Sequence, residues 1–203
     1  VEPLGLVERC QRGETEAFRQ LFREHHTDVA RLAQRMLGRS TDLEDIVQEV
    51  FLQVHRSIRE FRHGARFSTW LYRVTVNVVL MHRRAAKSRP VFGDAPESLV
   101  AVDHNAFADE QLERQRRVQA FHRLLDRLSE KKRLVFVLHE LEGLAPGEIA
   151  KIVASPVLTV RTRLFYARRE LLAMLAEEPS LTGVAAELAA VAPSSRSPAK
   201  EPA

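Results

Sequence analysis

Only one cysteine, Cys10, occurs in the 203 residues. The chain can therefore form no disulfide within itself and no metal site built on several cysteines, a pattern that suits a reducing compartment. No apolar run approaches the ~18 residues that a membrane-spanning helix needs. The first residues lack the charged-then-apolar pattern of a secretion signal. The expectation is a cytoplasmic protein with no membrane insertion. Glycine (8) and proline (9) are few and aromatic residues make up only 6%, which favours helices over a sandwich or barrel. His25 and His26 are adjacent, so they leave a helix in different directions and read as solvated surface rather than a zinc pair. No cofactor is expected.

Negative charge is missing from one long stretch. Acids (27) nearly balance Lys and Arg (31) over the whole chain, yet FRHGARFSTWLYRVTVNVVLMHRRAAKSRPVFG, positions 61 to 93, contains none. It carries Arg62, Arg66, Arg73, Arg83, Arg84, Lys87 and Arg89, with the only tryptophan, Trp70, and Phe61, Phe67 and Tyr72 among them. A net charge of +4 distributed this unevenly points to a polyanionic partner.

What is present is helical periodicity. Ala17, Phe18, Leu21 and Phe22 begin a pattern that resumes at Val29, Leu32, Ala33, Met36 and Leu37, with Gly38 placed to end the helix. Thr41-Asp42-Leu43-Glu44 fits a capping box ahead of a stripe formed by Val47, Val50, Phe51, Val54, Ile58 and Phe61. A third helix is predicted from about Ser68, as its cap, to Arg84. The β-branched run Val74, Thr75, Val76, Val78, Val79 favours a strand, but Leu71, Val74, Val78 and Met81 keep helical spacing. From Lys87 to about Asn105 the composition is that of a linker. Periodicity returns near Ala108 and runs through Leu112, Val118, Phe121, Leu124, Leu125 and Leu128; Ser129 then opens a helix that Gly143 ends. After Glu178 come a weak helical signal from Leu181 to Val191 and a tail rich in Ala, Pro and Ser. The expected fold class is all-α: small helical domains at 1–90 and 111–178, a linker at 91–110, and a flexible tail at 179–203.

GLAPGEIAKIVASPVLTVRTRLFYARREL, which begins at Gly143, has the most specific geometry. Pro146 suits the first turn of a short helix and Pro156 the first turn of the next, with Ser155 as its N-cap. Ile149, Ala150 and Val153 face inward on the first helix, Val160 and Leu164 on the second. Two helices across so short a break read as a helix-turn-helix, whose second helix enters the major groove. Arg161, Thr162 and Phe165 lie on its outer side; Arg suits guanine edges and Phe a thymine methyl. Arg163, Arg168 and Arg169 suit phosphates. A solvated arginine coat is the bland alternative. Ala154 in the turn costs about 1 kcal/mol if its φ is positive.

Asp42, Asp45 and Glu49 share one side of the second helix, with Gln48 beside them. Spacing alone leaves two readings open, a solvated face or a docking surface for a basic partner helix.

Together these residues resemble the extracytoplasmic-function (ECF) sigma factors, the smallest bacterial members of the sigma-70 family. The resemblance rests on DLEDIVQEVFLQVHRSIREFRHGARFSTWLYRVTVNVVLMHRR in the first half, and on LSEKKRLVFVLHELEGLAPGEIAKI followed by TVRTRLFYARREL in the second. It covers most of residues 10–90 and 112–175. It implies a non-enzymatic initiation subunit that binds core RNA polymerase at the β′ clamp and β flap and opens promoter DNA. In that reading Asp45, Gln48 and Glu49 dock on the β′ clamp. Arg62, His63, Arg66, Phe67, Trp70, Arg73, Asn77, Arg83 and Arg84 face the −10 element and the melted non-template strand. Thr159, Arg161, Thr162, Phe165, Arg168 and Arg169 face the −35 duplex. An anti-sigma factor is a further family-level expectation. Ala154 and Leu158 stand where family members commonly have Gly, and Ala145-Pro146-Gly147 replaces a Ser-led helix start. The competing reading is a stand-alone helix-turn-helix regulator, which leaves the acid-free stretch and acidic face without a role. An enzyme acting on nucleic acid ranks third, since neither a nucleophile elbow nor a phosphate-cradling glycine loop is found.

Overall fold

The computed structural model describes residues 5–38, 42–62, 66–88, 106–178 and 181. These are helical, with no strand among them. The helices are α1 Leu6–Gln11, α2 Thr15–Leu37, α3 Leu43–Ser57, α4 Phe67–Ser88, α5 Ala106–Arg127, α6 Glu130–Phe136, α7 Pro146–Ile152 and α8 Val157–Ala176. A 3₁₀ turn, Ile58–Glu60, follows α3, and a π-helical stretch, Val137–Leu141, follows α6. Two compact units result. One is drawn from Val1–Leu99 and Val137–Val157, the other from Val100–Phe136 and Leu158–Ala203.

In the first unit α2, α3 and α4 pack on one another, and α1 and α7 add to them. The predicted stripe on α3 is buried throughout, from Val47 to Phe61. Each such side chain contributes about 1.5–3 kcal/mol of burial. Gly38 ends α2 with φ 75°, a left-handed conformation that a side chain disfavours, and its amide donates to Gln34 O at 2.8 Å. Asp42 precedes α3 but makes no side-chain capping hydrogen bond; Thr41, the other half of the expected capping box, lies outside the described residues.

The β-branched run of α4 is helical because three consecutive residues, Val74, Thr75 and Val76, are all buried. Strand alternation would turn Thr75 away from its two neighbours. The Thr75 hydroxyl is satisfied locally, donating to Leu71 O at 2.9 Å. Two details differ from the periodicity. The helix starts at Phe67, with Arg66 O accepting from the Trp70 amide, so Ser68 is inside the first turn rather than its cap. Met81 is 54% exposed and leaves the buried stripe.

α1 was not visible as a periodic segment, being only six residues long. It buries Cys10, and that burial pushes the thiol pKa up. Gln11 Nε2 donates to Ile58 O (3.0 Å) and Phe61 O (2.9 Å), pinning the chain where it leaves the 3₁₀ turn.

The second unit buries Ala120, Leu124, Leu125 and Leu128 on α5, Leu134, Val135 and Phe136 on α6, and Val160, Leu164, Ala167, Leu171 and Leu175 on α8. Val118, expected on the apolar face of α5, is exposed. Lys132 Nζ meets Glu170 Oε1 at 2.5 Å and lies 5.9 Å from the Tyr166 ring centre. The helices α7 and α8 start within one residue of their predicted positions. Pro146 occupies the first turn of α7, whose Glu148 carboxylate accepts from the Ala145 amide at 3.1 Å. Ala154 has φ 48°. Of the expected linker at 91–110, residues 91–105 lie outside the described residues, whereas 106–110 form the start of α5. Of the expected tail at 179–203, only Leu181 is described, and it is buried.

Candidate nucleic-acid interface

The described residues on either side of positions 63–65 share one aromatic cluster. Phe61 on the entering side is buried, and its ring centre lies 5.4 Å from Trp70 and 5.7 Å from Phe67 on the leaving side. Phe67 and Trp70 are 5.5 Å apart, and the His25 ring of α2 lies tilted against Phe67 at 5.3 Å. Pairs at these distances contribute about 0.5–1.5 kcal/mol each beyond burial. Trp70 therefore braces Phe61 against Phe67 at the start of α4 and remains half-exposed. His25, expected to be solvated, belongs to this brace. Arg62 and Arg66 are exposed at the two ends of the loop, and His63 lies outside the described residues.

From the loop, one face of α4 continues outward. Arg66, Trp70, Arg73, Asn77, Met81 and Arg84 recur every three or four residues, so they line a single stripe. Arg73, Asn77, Met81 and Arg84 are exposed on it. This register explains Met81: it belongs to the charged face, not to the core. Arg83 is on another face, half-buried, donating to Met36 O at 3.0 Å. The stripe bears no carboxylate and can follow a phosphate backbone while offering Trp70 and Met81 as apolar surface.

On α3, Asp45 and Gln48 are exposed and Glu49 is half-buried. Sequence reasoning missed what lies beside them. An apolar groove of ≈ 680 Å³ runs along the surface where α2 packs on α3, lined by Phe22, His26, Val47, Gln48, Phe51 and Leu52 among others. Phe22 and Leu52 are exposed, and Phe22 tilts against Phe51 at 4.6 Å. The one sequence signal was Leu52, an apolar residue off the buried stripe.

A second feature was missed. The π-helical stretch ends with Glu142 N donating to Val137 O (3.1 Å), a widened turn. It presents a Glu142 side chain only 1% exposed, which accepts from Arg35 Nη1 at 2.8 Å and from the Tyr72 hydroxyl at 3.2 Å. Arg31 Nε lies 3.7 Å away, and Arg35 also donates to Leu141 O. Burial first, then the Glu142 charge, push the Tyr72 phenol up from its ordinary value.

On α8, Arg161, Thr162, Phe165 and Arg169 are exposed, and Thr159 and Arg168 are half-buried. Leu158, which no sequence argument had singled out as a binding residue, is 74% exposed. Among the described residues no cluster of His, Cys, Asp or Glu could hold a metal ion, and no helix is long and apolar enough to cross a membrane.

Comparison with known proteins finds two family matches on the chain. The Sigma-70 region 2 family matches residues 21–89, which contain the loop and α4. The Sigma-70, region 4 family matches residues 118–171, which contain α7 and most of α8. Both DNA-handling regions of a sigma-70 protein are thus present, in order. The ECF RNA polymerase sigma-E factor of Escherichia coli K12 is 36% identical over 170 residues, 80% of this chain and 88% of that protein. Among solved structures, CnrH in complex with the cytosolic domain of CnrY has a TM-score of 0.63 at 25% identity, covering 85% of this chain and 96% of CnrH. The sigma factor RpoE in complex with the anti-sigma factor NepR from Bartonella quintana shares the fold, with a TM-score of 0.59 at 21% identity over 81% of this chain and 99% of that one. The chain belongs to the ECF sigma factors of the sigma-70 family: it joins RNA polymerase and directs it to promoters, and the stand-alone regulator is set aside.

Proposed function

We propose that the named surfaces divide that activity among themselves. The observation that carries the assignment is the carboxylate-free stripe on α4, which starts beside the Phe61, Phe67 and Trp70 cluster. Residues 1–90 act as the polymerase-docking and −10 module, and 111–178 as the −35 module, which also meets the β flap. Arg62, His63, Arg66, Arg73, Asn77 and Arg84 follow the melted non-template strand, with Arg83 supporting from the flank. Unstacking a base costs a few kcal/mol, which a preformed surface offsets. Phe67 and Trp70 fix the loop and lend it apolar surface. Thr159, Arg161, Thr162, Phe165, Arg168 and Arg169 serve the −35 duplex.

Asp45, Gln48 and Glu49 supply the charged rim of the β′ contact, and the neighbouring groove with Phe22 and Leu52 supplies its apolar centre. An acidic rim beside an apolar groove fits an amphipathic, basic helix. The protein does no covalent chemistry of its own and works in the bacterial cytoplasm. That CnrH was solved with the cytosolic domain of CnrY supports control of this chain by a protein antagonist.

The double substitution Asp45→Ala with Glu49→Ala tests the docking assignment. Binding to core polymerase is expected to weaken by about tenfold or more, most strongly at low salt, with helical circular dichroism unchanged. Unchanged affinity removes these residues from the interface.

A further inference from the structure

We propose that Leu158 is a second apolar base-reading side chain, taking the C5-methyl of a thymine in the −35 element. The inference rests on the reading that α8 lies in the major groove, and it adds a residue and a base preference to that reading.

Exposed large apolar side chains are concentrated on this helix: Val157, Leu158, Phe165 and Tyr166 all belong to it. Leu158, at 74%, is the most exposed of the four. It is the second residue of α8, in the half of a recognition helix that reaches base edges. Leu158 precedes Arg161 and Thr162 by three and four residues and Phe165 by seven, so all four share one face.

The surroundings select the occupant. From Val157 to Arg169 the helix has Arg161, Arg163, Arg168 and Arg169 and no carboxylate. A partner protein with an apolar face meets exposed Arg161 and Arg169 on the same face as Leu158, whereas duplex DNA is complementary to them. Leucine has no hydrogen-bonding side-chain atom, and the one apolar group on base edges in the major groove is the thymine methyl. Two helical turns from Leu158 to Phe165 span roughly 10.5 Å, equivalent to about three base steps of 3.4 Å. The face therefore reads a thymine at each end, on either strand, with Arg161 and Thr162 addressing the bases between.

The test uses the full chain with core polymerase and a promoter library randomised over the −35 element. Wild-type protein is expected to enrich thymine at two positions within about three base pairs of each other. Leu158→Ala loses the preference at one and Phe165→Ala at the other. Replacing the Leu158-dependent thymine by deoxyuridine, which lacks only the methyl, lowers wild-type initiation about fourfold, the value of one buried methyl group, and leaves Leu158→Ala unaffected. The proposal is overturned if Leu158→Ala keeps the wild-type preference everywhere, or if deoxyuridine affects both proteins alike. Loss of polymerase binding in Leu158→Ala, with base preference intact, assigns the side chain to a protein partner instead and also overturns it. If the wild type initiates but enriches no −35 sequence at all, it is the underlying reading of α8 that fails.

Discussion

Replacing Ala154 by glycine is expected to stabilise the protein. Ala154 has φ 48° and is exposed in the turn between α7 and α8. A Cβ in the left-handed region crowds the following carbonyl and costs about 1–2 kcal/mol. Glycine removes that cost but loses about 0.4–1 kcal/mol through the greater freedom of the unfolded chain. No packing is forfeited, because the methyl is in solvent. The net gain is about 0.5–1 kcal/mol. Urea unfolding followed by circular dichroism should show the midpoint rising with m unchanged. Hydrogen exchange should slow in the amides of α7 and α8, which flank the turn. Across a series at this position stability should fall in the order Gly, Asn, Ala, Val, since Asn tolerates positive φ and a β-branched residue does not. A glycine variant no more stable than the parent, or a valine variant more stable than alanine, refutes the reasoning.

Other expectations follow from buried groups. Tyr72 has its phenol pushed up in the folded state, so its contribution to stability is complete below the unfolded value and is lost as pH rises through the folded one. Ultraviolet titration should show one of the two tyrosines ionising late, and Tyr72→Phe should remove that late step and flatten the alkaline loss of stability. Thr75→Val should change stability by less than about 1 kcal/mol, because the hydroxyl bonds only within its own helix turn and the methyl fills the same space. Arg133 is 4% exposed and meets Asp126 at 2.5 Å, while the Asp126 side chain is half in water. Arg133→Met is expected within about 1 kcal/mol of the parent in urea unfolding, whereas Arg133→Ala loses about 2–3 kcal/mol of packing.

Much of the fold was legible because helical periodicity is local. Val47 to Phe61 and Val160 to Leu164 declare their buried faces within a few turns, and Pro146 and Gly38 mark ends by backbone chemistry alone. The β-branched run of α4 was harder, because propensity and period disagreed and burial on a wide arc decided for the helix. Met81 was misplaced since its spacing from Val78 fits either face; only the register of Arg73, Asn77 and Arg84 fixes it. The Glu142 cluster was invisible for a different reason. It pairs residues 107 positions apart, Arg35 and Glu142, and nothing in either neighbourhood marks a carboxylate as buried. The groove beside Gln48 likewise depends on which α2 and α3 side chains line it together, which no single stripe encodes.

The account stands most directly on transcription from a promoter template by purified core polymerase with and without this protein. It predicts initiation at a defined start only when the protein is present, abolished by charge reversal of Arg66 and Arg73 on the α4 stripe, with no tight binding to the duplex by the protein alone. Equal initiation by core alone, or tight promoter binding without polymerase, would contradict it.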